Sequence, residues 1–438
     1  MSNMNHTEPH KVPRNLERRV DRISNLPDCI IDKILSHLSI RDAIRTSVLS
    51  KKWRYKWVTL PSLVFDNQPA LISTEDLNLM KNKLVNIIDH VLLLHTGPIE
   101  KFKLSIRDLK GCSDIDRWIL FLSRGCVEEL SLEIWEHPQY KLPSSIYSCH
   151  KLIHLEIFNC LLKPPPNFNG FTSLKSLNLQ HIIMDQLAFE HMIVACPLLE
   201  RLILMNCDGF TLLNIRAPNL LFFDVEGYFE EVSFRDTFHL AVVSICLYVE
   251  NGTERKLGFS STGNLIKFFA CLPHIQRLVV KYFFLKYLAA GAIPGKLPKP
   301  CVDLSFLSIH INLNDLGENL AALCLLRSSP NLQELEVLAC GDEEEQSTVT
   351  LDPNTADNLL TLPFTRLRLI KIVGISGTRQ ELDFVSSLLA NAPVLEKMTV
   401  ELEPESMDCE RELLKELLRF RRASTFAEII CYNIKSFS

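Results

Sequence analysis

Apolar residues recur along most of this chain in one short rhythm, L-x-x-L-x-L. Three copies are strict and run on to a cysteine: Leu152, Leu155, Ile157 and Cys160; Leu199, Leu202, Leu204 and Cys207; Leu332, Leu335, Val337 and Cys340. Looser copies start at Ile99, Val127, Leu174, Leu220, Leu240, Ile275, Leu304, Leu367 and Leu395, which makes twelve starts in all. Most intervals between starts fall within a period of roughly 20–29 residues, the size of one strand plus its return. Along an extended strand the apolar residues of L-x-L enter a core and the residues between them face outward. Parallel stacking at about 4.8 Å then predicts an α/β solenoid with a continuous sheet.

A second marker keeps the same register. Pro197, Pro218, Pro273, Pro330 and Pro393 each stand two residues ahead of the first apolar position. Four of them follow helix-patterned segments, at 184–195, 261–271, 313–327 and 380–390. Proline disfavours helix in the residue before it, so the helix stops and a strand begins. A Cys or Asn three residues after the last leucine can bond the turning backbone. The outward residues are expected to hold a ligand. They include Glu200, Arg201 and Ile203; Gln276, Arg277 and Val279; Gln333, Glu334 and Glu336; and Lys175, Ser176 and Asn178. Their mixed chemistry suits a protein-binding surface.

Residues 21–57 break the rhythm. Asn25 is expected as an N-cap, with Pro27 in the first turn and Asp28 at the positive helix end. Ile30, Ile34 and Leu38 fall at i, i+4 and i+8, with Ile31 and Leu35 in the adjacent stripe. That arc is wider than one core face needs. Ser39 is expected to cap a second helix carrying Ile40, Ala43, Ile44 and Val48. Ser50 is expected to cap a third, over 51–57, with Trp53, Tyr55 and Trp57. Three short helices in fewer than about 40 residues cannot bury all these groups among themselves. The surplus apolar surface is expected to face a partner or the following domain.

At the other end, 367–400 reads as strand, turn, helix and strand, with Gly374 and Gly377 permitting the sharp turn. Leu382, Val385, Leu388 and Leu389 form the helix's buried stripe. A second helix is expected over 407–420 and a strand at the end of 421–434. Such a segment would cap the last apolar face of the stack.

Composition narrows the picture. The chain has 438 residues, 47% of them hydrophobic, so a large core is available. The longest apolar run, 238–249, has 12 residues including one His, which suits a buried strand and is too short for a membrane span. Residues 1–19 are polar and charged, without the apolar segment of a secretory leader. Fourteen cysteines are spread along the chain without any C-x-x-C, which predicts reduced thiols in nucleus or cytoplasm. The net charge of -5 is uneven: residues 1–57 hold 12 Lys+Arg against 6 Asp+Glu. Because those charges alternate with apolar anchors, they read as a solvated helical face, and no nucleic acid is expected. No phosphate-binding, dinucleotide, serine-hydrolase or zinc-protease motif occurs. Cys149, His150, His154 and Cys160 are the one metal-like cluster. The repeat register turns His154 outward and puts the cysteines at turns, so neither metal nor cofactor is expected. The acidic run 342–345 reads as a solvated loop, and Pro164–Pro166 as an extended connection.

The N-terminal module resembles the F-box family at Leu26, Pro27, Ile31, Ile34, Leu35, Leu38, Ala43, Val48, Leu49, Ser50, Lys51, Trp53 and Trp57. The C-terminal segment resembles the FBD domain that closes many plant F-box proteins with leucine-rich repeats. The matching residues are Leu388, Leu389, Asn391, Ala392, Pro393, Leu395, Glu396, Lys397 and Met398, then Arg422, Ala423 and Ser424. Together these imply an α/β protein in four parts. A disordered tail (1–20) precedes a three-helix F-box (21–66). A curved leucine-rich-repeat solenoid with a parallel concave sheet follows (67–364), then an FBD cap (365–438). The resemblance implies docking of a Skp-family adaptor, and through it a cullin. The expected docking residues are Leu26, Pro27, Ile30, Ile31, Ile34, Leu35, Leu38, Val48 and Trp53. The repeats would hold a protein target for ubiquitination, so the chain would be a non-catalytic receptor subunit of an SCF-type ligase. The alternative is a ligase-independent scaffold built from the same parts.

Overall fold

The computed structural model describes residues 23, 25–66, 77–107, 114–135, 138–249, 263–340, 364–402, 415–417 and 419–433. Fourteen strands form its main sheet: β1 (Ser62–Asp66), β2 (Lys101–Arg107), β3 (Glu129–Trp135), β4 (His154–Phe158), β5 (Ser176–Gln180), β6 (Arg201–Met205), β7 (Phe222–Gly227), β8 (Val242–Leu247), β9 (Arg277–Tyr282), β10 (Phe306–Ile311), β11 (Glu334–Ala339), β12 (Leu369–Ile375), β13 (Lys397–Leu402) and β14 (Glu428–Asn433). Each pairs in parallel with the next in chain order. All twelve apolar starts read from the sequence stand two residues ahead of a strand, from Ile99 before β2 to Leu395 before β13. β1 keeps the same spacing at Leu60, Leu63 and Phe65, a thirteenth start that the reading from Ile99 onward leaves out. Its residues were grouped with the helical module, yet they pair with Lys101–Ser105 as the first strand of the sheet.

The strand interior follows the alternation. Leu202 and Leu204 are buried, and the same holds for their register partners Phe223 and Val225 on β7. Ahead of each of the first twelve strands, one carbonyl accepts two N–H groups from the following repeat. Glu200 O receives Leu221 N at 2.8 Å and Phe222 N at 3.1 Å; Leu221 O then receives Ala241 N and Val242 N, both at 3.0 Å. Across the sheet, the returns carry helices α3 (Leu77–Leu94), α4 (Asp114–Ser123), α5 (Gln186–Val194), α6 (Asn264–Ala270), α7 (Phe284–Ala289), α8 (Leu316–Arg327) and α9 (Arg379–Asn391). Where the repeats are shortest, the returns Leu212–Arg216 and Glu231–Arg235 are strands that pair with each other. A return of that length has no room for a helix.

Turn chemistry bears out part of the motif. Asn159 holds a left-handed φ of 57° and donates from Nδ2 to Ile134 O of the preceding repeat at 2.9 Å. The thiol of Cys207 lies 3.5 Å from Leu179 O, and that of Cys160 lies 3.4 Å from Phe158 O. Burial pushes both thiols up to about 12, so they stay protonated near neutral pH. All 12 cysteines among the described residues are free.

The N-terminal module departs from expectation in detail. α1 (Asp28–Leu35) starts after Pro27, which itself occupies the N-cap position without a side-chain cap; Asn25 lies further out. α2 (Ile40–Arg45) is capped by Ser39, whose hydroxyl accepts from Asp42 N. The third expected helix is a turn followed by one 3-10 turn, Lys56–Thr59. Tyr55 adopts a left-handed φ of 69° there, which stops an α-helix, and the Ser50 hydroxyl makes no cap. Trp53 and Trp57 are both buried, and they share one apolar core with Leu60, Leu63 and the repeats. The module is thus packed onto the sheet through α2 and β1.

At the far end, Thr378 and Glu381 form a capping box on α9. The buried Glu381 carboxylate accepts from Ser376 N, Gly377 N and Thr378 N at 3.1, 2.7 and 2.8 Å. Gly374 and Gly377 have φ of 83° and 92°, as the turn requires. The stripe of α9 is buried at Val385, Leu388 and Leu389 and partly covered at Leu382. Ala423 N donates to Leu389 O at 2.9 Å and Ser424 Oγ to Leu395 O at 2.7 Å, tying β14 to the last full repeat. The expected tail, the acidic run 342–345 and most of the helix expected over 407–420 lie outside the described residues. No helix among the described residues is long and apolar enough to cross a membrane.

Gly170 tests how tightly the returns pack. Its φ is 91°, and a Cβ there would stand 1.8 Å from Ala195 O. Gly170→Ala is expected to cost more than about 1 kcal/mol of folding stability, and Leu202→Ala about 2–5 kcal/mol. Denaturant melts of the purified chain followed by far-UV circular dichroism check both.

Candidate functional site

Two surfaces carry the candidate chemistry. The first is the outer side of the N-terminal module. α1 buries one of its two adjacent stripes: Ile31 and Leu35 are fully buried, whereas Ile30 and Ile34, with Leu38 just past the helix, are 45%, 38% and 37% exposed. In the turn after α2, Val48 is 88% and Leu49 50% exposed. Pro27 is exposed and Leu26 half-buried. Of the nine docking residues expected from the sequence, Ile31, Leu35 and Trp53 therefore face the chain's own core. Their burial orients the helix and leaves the other stripe outward. The exposed set gains Leu49 and Tyr55, which that expectation omitted; both lie in the S-V-L-S and W-R-Y segments already singled out.

Polar contacts hold this surface in place. Lys52 and Lys56 each stand 3.4 Å from the Asp28 carboxylate, and Lys52 also donates to Leu26 O. The hydrogen bond from Lys52, with Lys56 close by, lowers the Asp28 carboxyl below its ordinary value. Trp53 Nε1 donates to Ile23 O at 3.3 Å. The irregular third segment is thereby clamped across the start of α1.

The second surface is the outward side of the main sheet. Arg201 and Arg277 head their strands, and each lays its guanidinium on the register-paired phenylalanine of the next strand. The separations are 3.6 Å to Phe222 and 3.3 Å to Phe306. Glu334 follows Phe306 in the same row. Glu200, Gln276 and Gln333 stand one position earlier, on the rim formed by the paired carbonyls, and Glu200 is engaged by Lys175 at 2.9 Å. The six expected residues thus divide into an inner row and a rim, spread from β6 to β11. Toward each end, neighbouring strands neutralise one another: Lys101 with Glu129 at 2.7 Å, Lys103 with Glu133 at 3.1 Å, Lys371 with Glu401 at 3.4 Å. His154 is exposed on the same side.

Sequence reasoning passed over an aromatic strip at the C-terminal ends of these strands. Trp135 meets Phe158 at 4.3 Å, and Tyr248 meets Tyr228 at 5.7 Å and Tyr282 at 5.2 Å. Tyr248 OH donates to Glu226 at 2.6 Å. These residues stand one to three positions beyond the rhythm's third apolar residue, where no leucine marks them. Among the described residues, no group of three or more His, Cys, Asp or Glu is placed to hold a metal ion.

Comparisons with known proteins agree with this layout. The F-box domain model matches residues 23–65, the model described as FBD-associated F-box protein At5g56370, LRR repeats, matches 115–337, and the FBD model matches 365–400. The F-box/FBD/LRR-repeat protein At1g13570 of Arabidopsis thaliana is 40% identical over 416 residues, covering 94% of this chain and 98% of that one. F-box/LRR-repeat protein 13 of the same plant is 27% identical over 471 residues, covering 94% and 96%. The chain belongs to the plant F-box/FBD/leucine-rich-repeat family. A solved internalin from Listeria monocytogenes aligns with 84% of this chain and 95% of its own at 14% identity and a TM-score of 0.32.

The two stripes of α1 should behave differently under substitution. Leu35→Ala is expected to cost about 2–5 kcal/mol. Ile34→Ala, on the open stripe, is expected to stay within about 1 kcal/mol of the unaltered chain. Chemical denaturation of both variants checks the contrast.

Proposed function

We propose that this chain is the target-binding subunit of an SCF-type ubiquitin ligase. The N-terminal module docks a Skp-family adaptor, which carries a cullin, and the outward side of the repeats holds a protein to be ubiquitinated. The observation that supports this most is the open stripe Ile30, Ile34 and Leu38 with Val48 and Leu49. It is apolar and exposed, while the adjacent stripe, Ile31 and Leu35, is buried in the core shared with the repeats. An apolar patch held so firmly suits a permanent protein partner. The docking set is Leu26, Pro27, Ile30, Ile34, Leu38, Val48 and Leu49, with Ile31, Leu35 and Trp53 beneath them as support. Sequence relatives named for F-box, FBD and repeat segments support the same reading.

In this role the chain makes and breaks no bonds itself. It raises the concentration of the target's lysines near an activated ubiquitin carrier, so rate comes from proximity. Its place of action is the nucleus or the cytoplasm, where the rest of such a ligase works.

Co-expression with a Skp-family adaptor tests the docking half. The two are expected to co-elute in size-exclusion chromatography. Ile34→Asp with Val48→Asp is expected to abolish co-elution while leaving the melting temperature of the chain unchanged. An unaltered chain that fails to co-elute contradicts the ligase reading, and a double variant that still binds moves the docking face elsewhere.

A further inference from the structure

We propose that a cavity on the outward side of β2 to β6 receives an extended segment of the target protein that carries a basic and an acidic side chain close together, the basic one on Glu156 and the acidic one on Arg201. This rests on the reading of that side of the sheet as the target-holding surface.

The cavity has a volume of about 390 Å³, and Lys101, Lys103, Glu156, Asn178 and Arg201 are among its walls. Its five strands span roughly 19 Å at the spacing of a sheet, the length of about six extended residues. Most charges here are already matched. Lys101 is bound to Glu129 at 2.7 Å and Lys103 to Glu133 at 3.1 Å.

Glu156 and Arg201 are the exceptions. One Glu156 oxygen accepts from Ser131 Oγ at 2.9 Å and the other from Asn178 Nδ2 at 3.0 Å. Gln180 Nε2 in turn donates to Asn178 Oδ1 at 3.1 Å. All of these partners are neutral, and no cation among the described residues lies within ion-pair distance of Glu156. The carboxylate is therefore oriented and keeps its charge. Arg201 is oriented by a different means, its guanidinium lying on the Phe222 ring at 3.6 Å. No carboxylate among the described residues stands within ion-pair distance of it. A stacked guanidinium is pre-organised and keeps its N–H edge for a partner.

The two charges do not reach each other. Glu156 occupies the third position of β4 and pairs in register with Asn178; Arg201 heads β6 and pairs with Ser176. Two strand spacings, about 10 Å, separate their strands. A segment laid across the cavity takes water from both. That loss is offset where the segment brings the opposite charge to each. Neutral or single-sign segments leave at least one of them desolvated and unmatched.

A display library of random twelve-residue peptides, panned against the full chain held by its adaptor, tests this. Enriched peptides are expected to carry Lys or Arg together with Asp or Glu. A selected peptide, labelled and titrated by fluorescence anisotropy, is expected to bind about tenfold more weakly to Glu156→Gln and to Arg201→Gln. Lys371→Ala, on the same side of the sheet but away from the cavity, is expected to leave affinity unchanged. The melting temperatures of all three variants are expected to match the unaltered chain. A library that enriches nothing, enriches peptides of one charge sign, or yields peptides indifferent to both cavity variants overturns the proposal. Those outcomes leave adaptor co-elution intact, whereas loss of co-elution counts against the ligase reading and says nothing of the cavity.

Discussion

A parallel strand exposes a row of unpaired N–H and C=O groups and an apolar stripe on every unfinished edge, and this protein is built around covering them. Each repeat covers the one before it: a pair of leucine-like side chains enters the core, and a carbonyl ahead of the strand accepts two N–H groups from the next repeat. No single repeat is stable alone, because it buries its stripe only against a neighbour. The stack therefore needs two ends of another kind. At the start, α2 and the buried tryptophans Trp53 and Trp57 close over β1. At the finish, α9 with its Thr378–Glu381 capping box and the Ala423–Ser424 bonds fix β14 against β13.

This requirement explains why the N-terminal module is an end cap as well as the proposed docking site. Its inner stripe, Ile31 and Leu35, serves the core, and its outer residues, Ile30, Ile34 and Leu38, stay exposed. A rigid link between the two stripes matters for the proposed role. A target held on the strands keeps a fixed distance and direction from the adaptor only if the module does not swing. Continuous packing from Ile31 through Leu63 into the repeats supplies that fixity. The remaining outward side of the sheet is free to vary in chemistry, since its alternate positions contribute nothing to the core.

Much of this was legible in the sequence, because strand packing writes itself as a repeated spacing. All twelve starts, the prolines that end helices and the turn glycines Gly374 and Gly377 followed from local rules. Three features did not. β1 carries the spacing at Leu60, Leu63 and Phe65, but it directly follows the tryptophan-rich segment and stands well ahead of the next copy at Ile99, so it reads as the end of the helical module. The third helix over 51–57 failed because Tyr55 turns left-handed to bring Trp53 and Trp57 inward, a tertiary demand that overrides local propensity. On the docking face, the width of the apolar arc predicted a surplus, but which stripe stays exposed depends on how α1 sits against Trp57 and Leu60. The outward sites were the least legible. Arg201 and Arg277 were named from their register, yet their phenylalanine supports and the unmatched Glu156 emerge only when neighbouring strands are aligned side by side.

Hydrogen–deuterium exchange of the full chain, alone and bound to a Skp-family adaptor, tests the central claim most directly. Protection on binding is expected within residues 26–49 and nowhere along the outward side of β2 to β13, whose strand amides already exchange slowly in the free chain. Protection centred on the sheet, or none within 26–49, would contradict a fixed cap whose outer stripe is left for a partner.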